Sequence, residues 1–350
     1  MVTRALVGGL DAIDCCVIPA YASEVASKEI RGALGTIFNI FIALGIVIML
    51  AIGPFCSYMA LNILYAAVTL AATLPLVFVP ESPYFLYAKG RKEQTHKVLT
   101  LLRGSEDLAK EEIKQYSLSN NTGQNVNRWL LFKNPTFLKS LAITLVFNIG
   151  GQLMGHNVVL SYLQTILELT DTNVQPEVAS IVIGCVSVIA STSTFFLLKR
   201  FGRKPILAVT MSGAAFGLIG LGLFFEMQGS GYDTKGYFSY LPLLSLILLY
   251  FCTASGFSTI AAIVTSELFD GPARATGIAA VNMATAIVMF LQGQYFVTLV
   301  STAGFPTIFW LFSLDAVMTC IFVVFFMPET KGRTFLEIQE SLGRKCVDSK

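Results

Sequence analysis

The chain has 350 residues, of which 54% are hydrophobic and only 13% are charged. Soluble domains carry charges on about 25% of their residues, so this composition argues against a soluble globular protein and against a disordered one. The formal net charge is +2 and no basic stripe runs along the sequence, which argues against a nucleic-acid-binding protein. The long uncharged blocks instead predict an all-α polytopic membrane protein.

Nine membrane spans are predicted from the blocks that lack charged residues. The block 32–80 holds 49 residues without Asp, Glu, Lys or Arg, which at about 1.5 Å per residue is enough for two helical crossings. In chain order the predicted spans are 5–23, two within 32–80, then 140–167, 178–198, 205–225, 236–266, and two within 275–328. Asp315 interrupts the last of them.

Lysine and arginine residues orient this predicted bundle, because they concentrate on cytosolic loops. One set of alternate loops, together with the C-terminal tail, contains 22 of them, whereas the opposite set contains Arg4 and Lys235. We therefore expect the C-terminus and segment 84–139 to lie in the cytosol and the N-terminus to lie outside. For the whole chain we expect a multi-pass protein of the plasma membrane. Segment 84–139 is predicted to form short amphipathic helices under the bundle, with apolar residues at helical spacing: Val98, Leu99, Leu101 and Leu102.

One pattern of charges occurs twice, in register, at predicted cytosolic loops. Glu24 is followed seven residues later by Arg31, and Glu267 is followed seven residues later by Arg274. Each copy continues through two predicted spans to a Pro-Glu pair, Pro80-Glu81 and Pro328-Glu329. The repeat period is six spans, which predicts a twelve-span plan from which this chain lacks the first three helices.

Four segments follow from this plan. They are a truncated N-terminal half of three spans (1–83), the cytosolic amphipathic helices (84–139), a six-span C-terminal half (140–334) and a cytosolic tail (335–350). A natural short isoform and an incomplete gene model both account for nine spans, and we expect the second.

Five short motifs occur in order along the chain. They are the two Glu-to-Arg loops, Pro80-Glu81-Ser82-Pro83, Gly202-Arg203-Lys204 and Pro328-Glu329-Thr330-Lys331-Gly332. This set resembles the sugar porter family of the major facilitator superfamily, and the stretch from Pro80 to Leu86 is most similar to insect facilitated trehalose transporters. The resemblance implies the major facilitator fold, with nine of its twelve transmembrane helices present and a substrate site between two halves near the midplane.

The charged loops have two interpretations. Charges at helix ends ordinarily set the topology and extend to the membrane interface. The resemblance instead implies a cytosolic gate, in which salt bridges close the cytosolic side while the substrate site faces outward. The predicted gate residues are Glu24, Arg31, Glu81, Arg203, Glu267, Arg274 and Glu329. Lys199 departs from the family, because sugar porters usually carry an acidic residue three positions before Gly202.

A candidate sugar site lies in the predicted span 140–167. The stretch Gly151-Gln152-Leu153-Met154-Gly155-His156-Asn157 resembles the family's Gln-Gln-Leu-Ser-Gly-x-Asn sugar-binding motif, with Gly151 in place of the first Gln. A sugar needs side chains that donate and accept hydrogen bonds in an apolar surround, although amides inside spans also link neighbouring helices. The resemblance predicts five substrate-binding residues: Gln152, Asn157 and Tyr162 in this span, Asn39 in the block 32–80 and Ser187 in the span 178–198.

The predicted span 236–266 departs further from the family. The stretch Gly256-Phe257-Ser258-Thr259-Ile260-Ala261-Ala262 stands where the family usually has a Gly-Pro-x-x-Pro-Trp type of sequence. Ala262 therefore replaces the tryptophan on which a sugar ring packs. The exchanges at Gly151, Lys199 and Ala262 favour an alternative function, that of a non-transporting sugar sensor or an inactive truncated relative.

Three ionisable residues inside predicted spans each have two interpretations. Asp11 and Asp14 lie three residues apart on one face of the first span, and an ionisable group at that depth is a candidate proton site. They alternatively face water in a cavity, or pair with the helices that this chain lacks. His156 either senses pH or is a hydrogen-bonded polar residue of the core.

The sequence thus predicts facilitative transport of a sugar, a hexose or a trehalose-like disaccharide, by alternating access of two halves. We find no nucleophile–base pair and no metal-ligand spacing, so we expect neither an enzyme nor a cofactor. The expected partners are the sugar substrate and the lipid bilayer, with no nucleic acid. The sequence does not identify any protein partner.

Overall fold

A computed structural model of the chain describes residues 13, 17–18, 21, 24–26, 31–123, 132–170, 174–232, 236–269 and 271–331. Every regular element among these residues is a helix. The helices up to residue 123 are α1 (Arg31–Ile52), α2 (Tyr58–Thr73), α3 (Pro83–Ala88), α4 (Lys92–Arg103) and α5 (Glu106–Gly123). Those that follow are α6 (Pro135–Leu153), α7 (His156–Ser161), α8 (Leu163–Leu169), α9 (Pro176–Arg200), α10 (Arg203–Gly229), α11 (Leu241–Ser255), α12 (Phe257–Leu268) and α13 (Gly271–Phe326).

Seven helical stretches in the described part of the chain are long and apolar enough to cross a membrane. The last, Arg274–Phe326, has 53 residues, which at about 1.5 Å each suffices for two crossings. Helix α13 is interrupted inside this stretch at Gly304, which has a φ of 81°. Glycine adopts such a positive φ at low cost because it has no Cβ atom. Eight of the predicted spans therefore have a helical counterpart. The predicted span 5–23 lies outside the described residues except at Ile13, Val17, Ile18 and Tyr21, so the count of nine remains a prediction.

The chain divides into two compact units. The first unit comprises Met1–Phe41 and Phe55–Asn125, and the second comprises Ile42–Pro54 and Val126–Lys350. The second unit contains the largest group of buried apolar side chains, contributed mainly by α6 to α13. The segment boundaries expected at residues 83, 139 and 334 remain predictions.

Arg103 at the end of α4 organises the short helices of the first unit. Its guanidinium pairs with Glu112 of α5 at 2.8 Å and donates to the Val25 carbonyl, also at 2.8 Å. The hydroxyl of Tyr116 donates to the same Glu112 carboxylate at 3.0 Å. Burial raises the pKa of this phenol well above 10.0, and the neighbouring carboxylate adds to the rise. One partly buried ion pair thus fixes the angle between α4 and α5.

Close helix packing in the second unit depends on small residues along one side of α10. Gly213, Gly217 and Gly220 recur at helical spacing and face α11. A Cβ atom added at Gly217 lies 2.7 Å from the carbonyl oxygen of Ser245, which is backbone and cannot rotate away. Small residues let two membrane helices approach to backbone contact, where van der Waals packing holds them together. The α10–α11 pair is therefore sensitive to added side-chain volume.

We predict that Gly217→Ala destabilises the second unit. The added methyl group forces α10 and α11 apart, and overpacking of this kind typically costs about 1–3 kcal/mol. The melting temperature of the detergent-solubilised protein should fall by several degrees.

Gly293→Ala is the matched control, because Gly293 is an exposed helical glycine with no atom within 4 Å of an added Cβ. This change should leave the melting temperature unchanged or raise it slightly, since alanine favours helix more than glycine does. Equal melting temperatures for the two variants would contradict the packing assigned to α10.

Candidate functional site

The membrane helix that begins at Pro135 is interrupted at Gly155. Helix α6 ends at Leu153, and α7 begins again at His156 after Gly155, which has φ 78°. Glycine adopts this left-handed conformation without the penalty that a Cβ atom imposes. The ring of Phe312 from α13 also packs directly on Gly155, where any side chain would overlap it. Both the backbone and the packing therefore require glycine here.

A second membrane helix is interrupted at Gly256, between α11 and α12. Gly256 has φ −109° and ψ −90°, far from helical values, and the side chain of Thr210 fills the space of its missing Cβ. The residues that follow the two interruptions meet: the rings of His156 and Phe257 lie edge to face, with centroids 5.6 Å apart. The fold thus brings two broken membrane helices together at one point.

Side chains from other helices satisfy backbone carbonyls at the first interruption. The amide nitrogen of Gln292 in α13 donates to the Leu153 carbonyl at 3.0 Å, and the hydroxyl of Tyr250 in α11 donates to the His156 carbonyl at 3.1 Å. Irregular backbone at membrane depth needs such partners, because lipid offers none. These bonds fix the position of the helix break relative to α11 and α13.

Gln152 and Asn157 face each other across this break. The side-chain nitrogen Nδ2 of Asn157 donates to Oε1 of Gln152 at 3.1 Å, and the Gln152 side chain is buried. This bond leaves Nε2 of Gln152 buried and without a hydrogen-bond partner among the described residues. The imidazole nitrogen Nδ1 of His156 is in the same situation. Two of the predicted substrate-binding residues therefore come together, and Gln152 and the neighbouring His156 each keep one buried nitrogen without a hydrogen-bond partner among the described residues.

Phe257 explains why position 151 is glycine. A Cβ atom at Gly151 would overlap the Phe257 ring, which also contacts Phe147 at 5.6 Å between centroids. The aromatic ring thus occupies the space that a first glutamine of the motif would need. The missing amide at position 151 and the aromatic ring at position 257 therefore go together, because the ring takes the place of the polar group.

The other predicted substrate-binding residues lie in different surroundings. Tyr162, at the junction of α7 and α8, stacks on Phe296 with 5.0 Å between ring centroids. The hydroxyl of Ser187 on α9 donates to the Ile183 carbonyl of its own helix at 3.1 Å. Asn39 is half-buried on α1 and belongs to the first unit. Their contact with substrate remains a prediction.

A cluster of charges lies at one end of the second unit, where α10 begins. Arg203 pairs with Glu267 of α12 at 2.9 Å. The Glu329 carboxylate accepts hydrogen bonds from the backbone N–H groups of Arg203 at 3.0 Å and Lys204 at 3.2 Å, which are the first residues of α10. A carboxylate at a helix N-terminus is stabilised by the unpaired N–H groups and the helix dipole.

The backbone bonds determine the protonation of Glu329. Burial raises the pKa of this carboxyl, but four backbone N–H groups, those of Lys331, Arg203, Lys204 and Thr330, lower it and outweigh burial. The net pKa lies below the ordinary value of 4.5. Glu329 therefore stays ionised at neutral pH and holds the end of α13 against the start of α10.

The remaining gate and proton candidates are only partly described. In the first unit, the Ser82 hydroxyl donates to the Glu24 carboxylate, and Glu81 is exposed. Arg274 is half-buried at the start of α13. Asp11 and Asp14, and the side chains of Arg31 and Lys199, lie outside the described residues.

Comparison with known proteins decides the family. Residues 1–342 match the family described as "Sugar (and other) transporter". The chain belongs to this family. It is 27% identical over 343 residues to the facilitated trehalose transporter Tret1 of Bombyx mori, an alignment covering 97% of this chain and 67% of that protein. Tret1 of Anopheles gambiae is also 27% identical, over 98% of this chain but 43% of its own length.

Solved transporter structures show the fold of this family member. The proton:xylose symporter XylE bound to 6-bromo-6-deoxy-D-glucose superposes with a TM-score of 0.72 at 24% identity, covering 93% of this chain and 70% of that one. An inward-open XylE structure from E. coli gives 0.71 at 23% identity, covering 92% of this chain and 68% of that one. The chain therefore has the major facilitator fold. Its membership of the transporter family makes it a multi-pass membrane protein related to transporters rather than to enzymes.

Sequence reasoning missed several residues of this arrangement. Phe257 departs from the family pattern, but only the fold shows that it contacts Gly151. The available signal in the sequence is a small residue at one motif position together with a large residue in another motif. Tyr250 and Gln292 carry no motif, and no sequence signal pointed to their bonds at the break. For Glu329 the sequence predicted a charge-pairing role, whereas its described bonds are to backbone N–H groups.

We predict that Glu329→Gln lowers stability in a pH-dependent way. At pH 7 the variant loses the ionic part of the hydrogen bonds at the start of α10, a loss of about 1 kcal/mol. Because the folded carboxyl has a pKa below 4.5, its contribution is fully present above that pH and is lost as the pH falls through the folded pKa. The melting-temperature difference between wild type and variant should therefore be constant near neutrality and shrink in acid.

Glu93→Gln serves as the control, because Glu93 is an exposed residue in the first turn of α4. Thermal melts from pH 7 down to pH 3 should show little difference between this variant and wild type. A Glu329→Gln difference that grows on acidification would contradict the lowered pKa.

Proposed function

We propose that the chain takes part in facilitative transport of a neutral sugar, a hexose or a trehalose-like disaccharide, across the plasma membrane. The observation that carries this proposal is the meeting of two interrupted membrane helices at His156 and Phe257, beside the buried amide of Gln152. In transporters, substrate sites lie near the midplane at discontinuous helices, where side chains and backbone can serve a ligand in place of helix neighbours.

The chemistry of this junction suits an uncharged polyol. Amides and an imidazole offer both donors and acceptors, and the surrounding groups are aromatic rings and helix backbone. A sugar has the matching properties, since its hydroxyls donate and accept while its C–H faces pack on aromatic rings. An anionic substrate would need a compensating cation, and Gln152, Asn157 and His156 do not supply a permanent one.

The names of the relatives support a facilitative mechanism and a sugar substrate. The Bombyx and Anopheles proteins are named facilitated trehalose transporters, and their alignments cover nearly all of this chain. XylE is a proton:xylose symporter, but its likeness at 24% identity bears on the fold. We therefore assign sugar movement down its own gradient, with the C-terminus in the cytosol.

We propose that the charged residues contribute to alternating access by making each unit rigid. Arg203, Glu267 and Glu329 join the ends of α10, α12 and α13 within the second unit. In the first unit, Glu24 and Ser82 join two segments in the same manner. Rigid halves of a transporter can rock around a fixed substrate site. Closure of the cytosolic gate by salt bridges of Arg31, Glu81 and Arg274 is part of this proposal.

We predict that Gln152→Ala and Asn157→Ala each lower sugar uptake. Each variant removes a polar group that we place against substrate, and an unpaired partner in a buried site typically costs about 1–3 kcal/mol. In proteoliposomes that contain the purified protein, initial rates of [14C]glucose and [14C]trehalose entry should fall about tenfold or more.

Gln228→Ala is the matched control, because Gln228 is an amide at the end of α10 that donates to the Leu169 carbonyl, away from the junction. Its uptake should equal that of wild type. Unchanged uptake in Gln152→Ala and Asn157→Ala would contradict the site, whereas sugar binding without any uptake by wild type would favour the sensor function.

We also predict that uptake does not depend on a proton gradient. Facilitative transport uses the sugar gradient alone, so adding a protonophore to energised proteoliposomes should leave the initial rate of sugar entry unchanged. A rate that falls with the gradient, or sugar-driven acidification of the lumen, would contradict facilitative transport. The first variant to examine would then be Asp315→Asn, because Oδ2 of Asp315 in α13 is buried and has no partner among the described residues.

A further inference from the structure

His156 is built into the helix junction but does not use all its polar capacity. Its side chain is buried, with an exposed fraction of 8%, and its ring packs edge to face on Phe257. Nδ1 is buried and has no hydrogen-bond partner among the described residues. An imidazole that carries its proton on Nε2 has a lone pair on Nδ1 that can accept a hydrogen bond.

Gln152 offers the complementary group. Asn157 donates to its Oε1 at 3.1 Å, which fixes the orientation of the amide. Its Nε2 then carries N–H donors that are buried and make no hydrogen bond to any described residue. Two such buried groups at one helix break are unusual, because proteins pair nearly all buried polar atoms.

A hydroxyl group has the donor and the acceptor that these two atoms lack. It donates its proton to an acceptor such as Nδ1 of His156 and accepts from a donor such as Nε2 of Gln152. The edge-to-face packing of the imidazole on Phe257 holds the ring in place, so little side-chain freedom is lost on binding. Adjacent hydroxyls of a sugar, or one hydroxyl alone, can serve both atoms.

We propose that His156 is a substrate-specifying residue, whose Nδ1 accepts a hydrogen bond from a sugar hydroxyl beside the amide of Gln152. The inference deepens the proposed sugar transport and rests on it. Gln152 and Asn157 match the family's binding motif directly, whereas His156 does not. The inference therefore adds a residue to the site and gives the site a preference for a hydrogen-bond donor. The junction selects a ligand that donates a hydrogen bond at this position and discriminates against the analogue that lacks that hydroxyl.

Two variants of similar polarity separate the acceptor from the packing. His156→Asn places an amide oxygen near the position of Nδ1, so it keeps an acceptor there. His156→Gln carries its amide group farther out, near Nε2, and leaves the Nδ1 position empty. His96→Gln, the same change at the other histidine of the chain, is the control, since His96 lies on α4 in the first unit.

The test is equilibrium binding of D-glucose and α,α-trehalose, and of monodeoxy derivatives of each, to the purified full chain in detergent. We expect His156→Gln to weaken binding of the parent sugar about tenfold, since one hydrogen bond to a buried group is lost. His156→Asn should stay within about threefold of wild type, and His96→Gln should match it. For one monodeoxy derivative, wild type and His156→Gln should bind equally, because the donor hydroxyl is gone.

The outcomes distinguish this inference from the function on which it rests. If wild type binds neither parent sugar, the proposed function fails and the inference fails with it. If wild type binds a parent sugar and His156→Gln binds it equally well, the inference alone is overturned. A loss in both His156 variants that is the same for every derivative also overturns it, because that result indicates a packing role.

Discussion

The left-handed turn at Gly155 is the constraint on which the candidate site depends. It interrupts a helix at membrane depth, where unpaired backbone groups find no water. Gln292 and Tyr250 donate to carbonyls on either side of the turn, and Phe312 packs on the glycine itself. Side chains of α11 and α13 therefore hold the break in position together. A continuous helix from Pro135 to Ser161 would give Gln152 and Asn157 other neighbours.

The second break, at Gly256, changes the surface that surrounds the first. It places Phe257 against Gly151 and His156, so an aromatic surface takes the space of an amide. The contact between Phe257 and Gly151 accounts for two departures from the family motifs, because the ring requires a glycine at position 151. It also supplies a flat apolar surface in a span whose family tryptophan is replaced by Ala262. These departures are consistent with an altered sugar site and do not require the loss of one.

Features of the fold could be predicted from the sequence where a short stretch of residues determines them. Uncharged blocks predicted the eight described spans, because lipid excludes charges along a whole helix. Gln152 and Asn157 were predicted from one contiguous motif. The contact of Phe257 with Gly151 joins positions 106 residues apart, and no local pattern encodes it. The same holds for Glu329, whose partners are backbone groups that sequence patterns do not distinguish.

Photoaffinity labelling tests the central claim, that a sugar binds where the two interrupted helices meet. The purified chain would be irradiated with a diazirine derivative of D-glucose, with and without excess trehalose, and the modified peptides identified by mass spectrometry. The account predicts adducts within residues 147–162 and 253–261 that excess sugar suppresses. Adducts that trehalose suppresses but that lie only outside these two segments, for example on α2, would contradict it.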